Sequence, residues 1–474
     1  MADFVEPAST DLDFDDLAFE ADFFQGYEGR RLKAAIALSI LWLLTAFLHS
    51  VTWGHTFVLG VTAIMAIHAL RVILATPKKS PLPLPSVNAA ANAPMQPADF
   101  VNGSAAAAIS QSEWPYVSLL VAAKNEAQVI GTLVESLQQL DYPTDRYDLW
   151  FINDNSTDKT PQILDRLAQR YPNLNVIHRG PDAKGGKSGA LNLVWPKTKG
   201  ELIAVFDADA QVSPDLLRHV VPMFDPDKGG KDTGAVQVRK AIANASTNFW
   251  TRGQKAEMAL DCYMQQRRIA VGGIGELRGN GQFVRRQAIA QCGGWNEETI
   301  TDDLDLTIQL HLKQWDIGLL FTPAVGEEGV ASAIALWHQR NRWAEGGFQR
   351  YLDYWRQLAK NRLGWQKSFD MLGFWIIQYM LPLVALPDLL IALIRHQLPV
   401  YGPITTMAVV MSAIGMFTTL RQAETMSIWS AAVQTVRGSL YMLHWLVVIG
   451  TMAIRISVRP KQLKWVKTVH GAEA

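Results

Sequence analysis

The chain of 474 residues carries 44 Lys+Arg against 44 Asp+Glu, with 49% hydrophobic and 19% charged residues. This balance excludes a disordered polyelectrolyte and a generally basic nucleic-acid binder. Two cysteines, Cys262 and Cys292, are too few for a thiolate metal cluster or a disulfide framework and leave room for one isolated bridge at most.

Along the chain the averages separate. Residues 1–30 form an acidic start, with nine acids before Gly29 and no Lys or Arg until Arg30. The segment reads as a disordered tail, with a docking helix around Phe19, Phe23 and Phe24 as the alternative, and the missing positive start argues against a secretory signal. Residues 31–75 hold two apolar stretches, bordered by Arg30, Arg31 and Lys33 at one outer end and by Arg71, Lys78 and Lys79 at the other. Such a pair predicts a transmembrane hairpin with both ends cytoplasmic. Residues 76–113 are rich in Pro, Ala, Ser and Asn, a linker composition.

Residues 114–350 alternate short β-branched runs with helical patterns: YVSLLVAAK, VIGTLVESLQQL, YDLWFINDNS, TPQILDRLAQR, NLNVIHR and ELIAVFDADA. The alternation predicts an α/β domain with a mainly parallel sheet whose ligands bind at the carboxyl ends of its strands. Residues 351–458 turn apolar again over about 371–394, 400–420 and 441–456, with Met426–Val436 amphipathic enough for an interfacial helix. Residues 459–474 form a basic tail, expected to be cytoplasmic. Three C-terminal spans would place that tail on the far side, so the expected number is three to four, with 421–440 or an interfacial segment deciding parity.

The polar residues that stand out lie at strand ends. Asp207 and Asp209 close ELIAVFDADA as an Asp-x-Asp triplet. In a strand both would face one ion, whereas a turn at the strand end would let one act alone; two hard oxygens beside phosphates suit Mg2+, with Mn2+ as the alternative. Asp154 ends a strand where a carboxylate could meet a base or ribose, while Asn155 and Ser156 alternatively cap the next helix. Lys184 and Lys187 sit in DAKGGKSGALN, where glycines permit close backbone approach to a phosphate. Asp302, Asp303 and Asp305 open an apolar helix, as favourable caps or with one carboxylate as general base. HQRNRWAEGGFQR gathers Arg340, Arg342 and Arg350 around Trp343, for diphosphate contacts or for membrane-surface anchoring.

In this order the landmarks resemble the membrane-embedded family 2 glycosyltransferases: Lys124, Asn125 and Glu126, then Asp154, the Asp207/Asp209 triplet, Thr301–Asp303, and Gln339, Arg342 and Trp343 as a QxxRW motif. The resemblance implies a GT-A nucleotide-sugar-binding domain flanked by transmembrane and interfacial helices, and a metal-dependent, inverting transfer from a UDP-sugar. It makes Lys124, Glu126, Asp154, Lys187, Asp207, Asp209, Gln339 and Arg342 donor-binding, with Asp207 and Asp209 also at the metal. Asp303 becomes the catalytic base, and Asp302 and Trp343 lie on the acceptor side. Neither the FxxTxK gating loop nor the cyclic-di-GMP-binding domain of cellulose synthases is evident, and the acidic start, the ending VRPKQLKWVKTVHG and the total length look most like the cyanobacterial glycolipid-forming branch. That branch implies transfer of glucose from UDP-glucose to diacylglycerol at the cytoplasmic face of a plasma or thylakoid membrane. A processive β-glycan synthase is the alternative.

Overall fold

The computed structural model describes residues 26–87 and 114–458. The aromatic cluster at Phe19, Phe23 and Phe24, most of the linker and the tail 459–474 lie outside the described residues. Helices α1 (Gly26–Ser50) and α2 (Gly54–Leu74) come first. The α/β domain follows as β1 (Val117–Ala123), α3 (Ile130–Leu137), β2 (Tyr147–Asp154), α4 (Thr160–Arg170), β3 (Leu174–Arg179), α5 (Gly186–Val194), β4 (Leu202–Phe206) and α6 (Leu216–Val220). It continues through β5 (Thr233–Ile242), α7 (Phe249–Ala270), β6 (Gln282–Arg285), α8 (Arg286–Cys292), α9 (Asp302–Leu312), β7 (Asp316–Glu327) and α10 (Ala333–Asp353). The remainder is helical: α11 (Trp355–Ala359), α12 (Trp365–Trp375), α13 (Leu381–Ile394), α14 (Gly402–Ala423), α15 (Ile428–Met442) and α16 (His444–Val458).

The seven strands form one sheet in the order β3-β2-β1-β4-β6-β5-β7. β1 pairs in parallel with β2 and β4, and β6 runs antiparallel between β4 and β5. β1 and β4 lie near the centre, covered on both faces, which is why LIAVF is a continuous apolar run and VSLLVAA is broken only by the buried Ser118. Each fully buried Leu or Val there contributes about 1.5–3 kcal/mol of transfer free energy. The parallel arrangement brings the ends of β1, β2 and β4 to one edge, where Asn125, Asp154 and Asp207 follow.

Five helical stretches among the described residues are long and apolar enough to cross a membrane: 29–50, 54–74, 365–394, 402–423 and 428–458. The amphipathic segment expected around 426–436 and the apolar one at 441–456 merge into that last stretch, as α15 and α16 meet at Leu443. Large apolar side chains on these helices stay exposed, Leu43 at 70% and Trp429 at 83% among them, the composition of a lipid-facing surface. N- and C-terminal helices pack together, α1 against α13 and α16, and α2 against α14. Helix α7 joins this assembly to the sheet, touching β5 on one side and α14 and α15 on the other. Its start is fixed by a capping box between Asn248 and Thr251.

The start of the expected linker is docked. Leu84 is buried, its N–H donates to the Arg218 carbonyl at 3.0 Å, and the Val87 N–H donates to Asp141 at 2.9 Å. Cys262 and Cys292 are free thiols, so the isolated bridge that composition allowed is absent.

Candidate active site

The loops after β1 and β2 are laced together. Asn125 adopts φ 58° and Asn155 φ 53°, left-handed conformations that Asn tolerates better than most residues. The Asn125 N–H donates to Ser156 Oγ at 2.9 Å, and its Oδ1 accepts the Thr157 N–H at 2.7 Å. The Glu126 N–H donates to Thr160 Oγ1 at 2.8 Å. Asn155 and Ser156 therefore do not cap α4, whose N-cap position is Lys159; Ser156 instead ties one strand end to the next. Lys124 and Glu126 stand half-buried on this shelf.

Asp154 is buried, and its Oδ1 accepts Arg179 Nη1 at 2.6 Å. Arg179 also donates to the carbonyls of Gly186, at 2.8 Å, and Lys184. One guanidinium thus clamps the glycine loop onto the Asp154 strand end. Sequence reasoning missed Arg179, although Asp154 and Arg179 are paired in register at the ends of β2 and β3. Lys184 contributes only its carbonyl to this clamp. Gly185 (φ 78°) and Gly186 (φ 52°) both need left-handed backbone, and a Cβ on Gly185 would collide with the Glu297 carboxylate. The loop delivers Lys187 into the first turn of α5, where its Nζ meets Asp207 Oδ1 at 2.6 Å.

β4 ends at Phe206, and the Asp-x-Asp triplet lies in a turn closed by the Ala210 N–H on the Asp207 carbonyl at 3.1 Å. Strand alternation therefore does not govern the two carboxylates. Asp207 lines a cavity, whereas Asp209 Oδ2 accepts the Glu328 N–H at 3.1 Å. Among the described residues no group of three or more His, Cys, Asp and Glu is arranged to hold a metal. This donor set fits a hard cation that takes one or two carboxylates from protein and its other ligands from phosphate and water.

The cavity, about 920 Å3, brings together Lys187, Asp207, Asp302, Asp303, Arg342 and Trp343. Lys124, Glu126, Asp154, Asp209 and Gln339 lie off its wall; Gln339 leaves its Oε1 buried without a partner among the described residues. Asp302 and Asp303 occupy the first turn of α9, where the helix dipole favours negative charge. Asp302 Oδ2 is buried with no partner among the described residues. Burial first, and the charge of Asp302 second, raise the Asp303 carboxyl to about 6 despite the opposing pull of Lys187. Burial works against a charged Lys187, but Asp207 and Asp302 outweigh it and hold the ammonium protonated.

Two further wall residues escaped the sequence reading. Lys240 on β5 pairs with Glu327 at 2.8 Å, lies over the Trp343 ring at 5.4 Å and adds a second ammonium to this wall. Arg278 is gripped by Asp261 at 2.6 Å and Glu276 at 2.8 Å, and the adjacent Gly279 (φ 82°) brings the backbone close to Asp303. Their identities carried no signal, because β5 and the 278–281 turn read as ordinary sheet and loop.

The arginines of α10 divide. Arg342 lines the cavity, but Arg340 is fully buried against Glu257 at 2.5 Å and stacks on Trp343 at 4.0 Å. Arg350 is buried against Glu276 at 2.5 Å. The expectation that all three meet a diphosphate, or that all three anchor a membrane surface, is therefore corrected: two of them are structural. Asp305, likewise, is buried and bonded by Asn296, Gln309 and Tyr354.

Beyond Trp343 the wall changes character. It continues through Phe374, Ile377, Pro382, Met411, Met442 and Leu446 on the C-terminal helices, so one cavity joins a charged end to an apolar end.

Residues 118–293 match the family model described as glycosyl transferase family 2. A β-monoglucosyldiacylglycerol synthase from Nostoc sp. is 56% identical over 450 residues, covering 94% of this chain and 90% of that one. The synthase of the same name from Synechocystis sp. is 50% identical over 479 residues, covering 100% of this chain and 94% of its own. Among solved structures, a mannosyltransferase from Pyrobaculum calidifontis in complex with GDP-Man and Mn2+ aligns at TM-score 0.48 with 18% identity, covering 88% of this chain and 98% of that chain. Identity at this level over nearly the whole length establishes that the chain belongs to the β-monoglucosyldiacylglycerol synthase family, within family 2 of the glycosyltransferases.

Proposed function

We propose that the protein transfers glucose from UDP-glucose to the free hydroxyl of diacylglycerol, inverting the anomeric carbon and releasing UDP. The observation that carries this reading is the cavity with two kinds of wall, carboxylates and cations at one end and Phe374, Ile377, Met411 and Leu446 at the other. A hydroxyl on a hydrocarbon body needs both ends at once. A glycan chain would need polar partners along its length, and this wall offers few past Trp343.

In the reaction, the Asp303 carboxylate takes the proton of the lipid hydroxyl as its oxygen forms a bond to the anomeric carbon. The bond from that carbon to the diphosphate oxygen breaks in the same displacement, and the electron pair leaves with UDP. A base near pH 6 is well matched to this task, being ionised at neutral pH yet still able to hold a proton. Lys187, Lys240 and Arg342 provide positive charge where the diphosphate develops its own. Asp302, which lines the same cavity, would stand on the acceptor side. Lys124, Glu126 and Asp154 would hold the uridine on the laced shelf, with Gln339 as a further donor-binding residue. A divalent cation, Mg2+ or Mn2+, held by Asp207 with Asp209, would neutralise the diphosphate. Basic residues flanking α1 and α2 favour a cytoplasmic active-site domain.

The test is product analysis. Full-length protein incubated with UDP-glucose, Mg2+ and diacylglycerol should yield one glucose per lipid by mass spectrometry, with a β linkage by NMR. A long glycan product, or no transfer to diacylglycerol, would overturn the reading.

A further inference from the structure

The apolar limb of the cavity contains a polar group that hydrocarbon contact does not explain. Between α12 and α13 the backbone makes a π-helical turn, Ile376–Met380, a rare form that recurs at functional sites in helices. Gln378, on this turn, lines the cavity beside Phe374, Ile377, Pro382 and Met411. Its Oε1 is buried with no hydrogen-bond partner among the described residues. A buried polar atom left unpaired is destabilising, and a leucine would build the same wall without that loss. The neighbouring polar side chains are committed elsewhere: Ser412 Oγ donates to the Ala408 carbonyl at 2.8 Å, Trp445 Nε1 donates to Glu257 at 2.8 Å, and Arg268, over the Phe374 ring at 4.4 Å, is paired with Glu276 and Asp370. With the oxygen of Gln378 sealed in the wall, its NH2 is the end of the amide open to a ligand.

Building on the reading that the acceptor is diacylglycerol, we infer that the Gln378 NH2 donates a hydrogen bond to an ester carbonyl of the bound lipid. An ester carbonyl accepts and brings no donor of its own, which suits an NH2 set in an apolar wall. Gln378 is then an acceptor-recognition residue that distinguishes acyl esters from alkyl ethers.

The experiment compares initial rates of the full-length protein in nanodiscs, at saturating UDP-glucose, with diacylglycerol and with the dialkyl ether glycerol of matching chain length. Wild type should show a KM lower for the ester by roughly fivefold to tenfold, the size expected of one hydrogen bond. Gln378→Met, which keeps the volume and loses the donor, should bring the two KM values together while kcat and the UDP-glucose KM stay within about twofold of wild type. An unchanged UDP-glucose KM also shows that the variant is folded. If wild type glucosylates both lipids with equal KM, or if Gln378→Met still discriminates, the ester contact is refuted while the diacylglycerol reading stands. If neither lipid is glucosylated, the reading beneath it falls as well, and the inference with it.

Discussion

The shelf around Asp154 and the cavity around Asp303 belong to one site but are assembled from different distances along the chain. The shelf is made by three neighbouring parallel strands and the loops that leave them, with Asn125 bonded to Ser156 and Thr157, and Asp154 to Arg179. The cavity is made where the domain meets the helices, from β5, the 278–281 turn, α9, α10, α12 and α14. Loops that leave neighbouring strands can be fixed by backbone N–H groups donating to short polar side chains of the adjacent loop. Segments far apart need buried charge to hold register: Glu276 is bonded at once by Arg350, Arg278 and Arg268, and Arg268 reaches on to Asp370 of α12. The shelf is a product of local chain geometry, and the cavity is a product of tertiary packing.

The sharpest way to separate the halves is Asp303→Asn. The amide keeps the size of the side chain but cannot take a proton, so kcat should fall by roughly 10²–10⁴-fold, while UDP-glucose affinity, measured by calorimetry, stays within about threefold. The pH profile adds a second readout. A carboxyl raised to about 6 is protonated below that pH, so wild-type kcat/KM should drop about tenfold per unit under pH 6, and the residual activity of the variant should lack this limb. Unchanged turnover would remove Asp303 from the chemistry; lost donor binding would mean that the two halves are not separable.

Glu276→Gln tests the packing half itself. Burial acts to raise the pKa of Glu276, but Arg278, Arg350 and Arg268 outweigh it and hold the carboxyl well below its usual range. Arg278 keeps Asp261 and Arg268 keeps Asp370, but the buried Arg350 guanidinium loses its carboxylate, which should destabilise the protein by on the order of 3 kcal/mol, read as a lower unfolding temperature in detergent. A depressed folded-state pKa contributes stability that is fully present above the unfolded value, about 4.3 for Glu, and is lost as pH falls below it. The gap between wild type and variant should therefore narrow in acid. A variant as stable as wild type would show that the cavity does not depend on this knot.

How much could be read from the sequence follows the same division. The alternation of strands and helices predicted the parallel half of the sheet, because β1, β2 and β4 are buried and so carry apolar runs, LIAVF unbroken in β4, LLVAA in β1 and LWFI in β2. Asp154, Lys187 and Asp207 stood out because each follows such a run or its glycine turn. Lys240 and Arg278 did not, since nothing local marks a lysine within a strand or an arginine in a turn until the helices close over them. Arg340 and Arg350 were misread for a related reason: in sequence a buried arginine and a ligand-facing one look alike, and only Glu257 and Glu276, far away in the chain, tell them apart. The merging of α15 and α16 was hidden because the two halves differ in polarity while forming one apolar stretch of 31 residues.

The smallest expected effect belongs to the shelf. Asn125→Ala removes the Oδ1 that accepts the Thr157 N–H and forces a residue with a Cβ and no compensating polar group to hold φ 58°. The lost hydrogen bond and the left-handed backbone each amount to about 1 kcal/mol, spread over two loops still joined by the N–H of residue 125 on Ser156. The UDP-glucose KM should rise roughly threefold to tenfold, with the diacylglycerol KM and the limb near pH 6 unmoved. Asn125→Gly separates the two causes, because glycine adopts positive φ freely but cannot accept the Thr157 N–H. Recovery of about half the loss is the expected result. If Asn125→Ala changes the acceptor KM as much as the donor KM, the shelf and the cavity are mechanically one unit, and the division by distance along the chain does not extend to function.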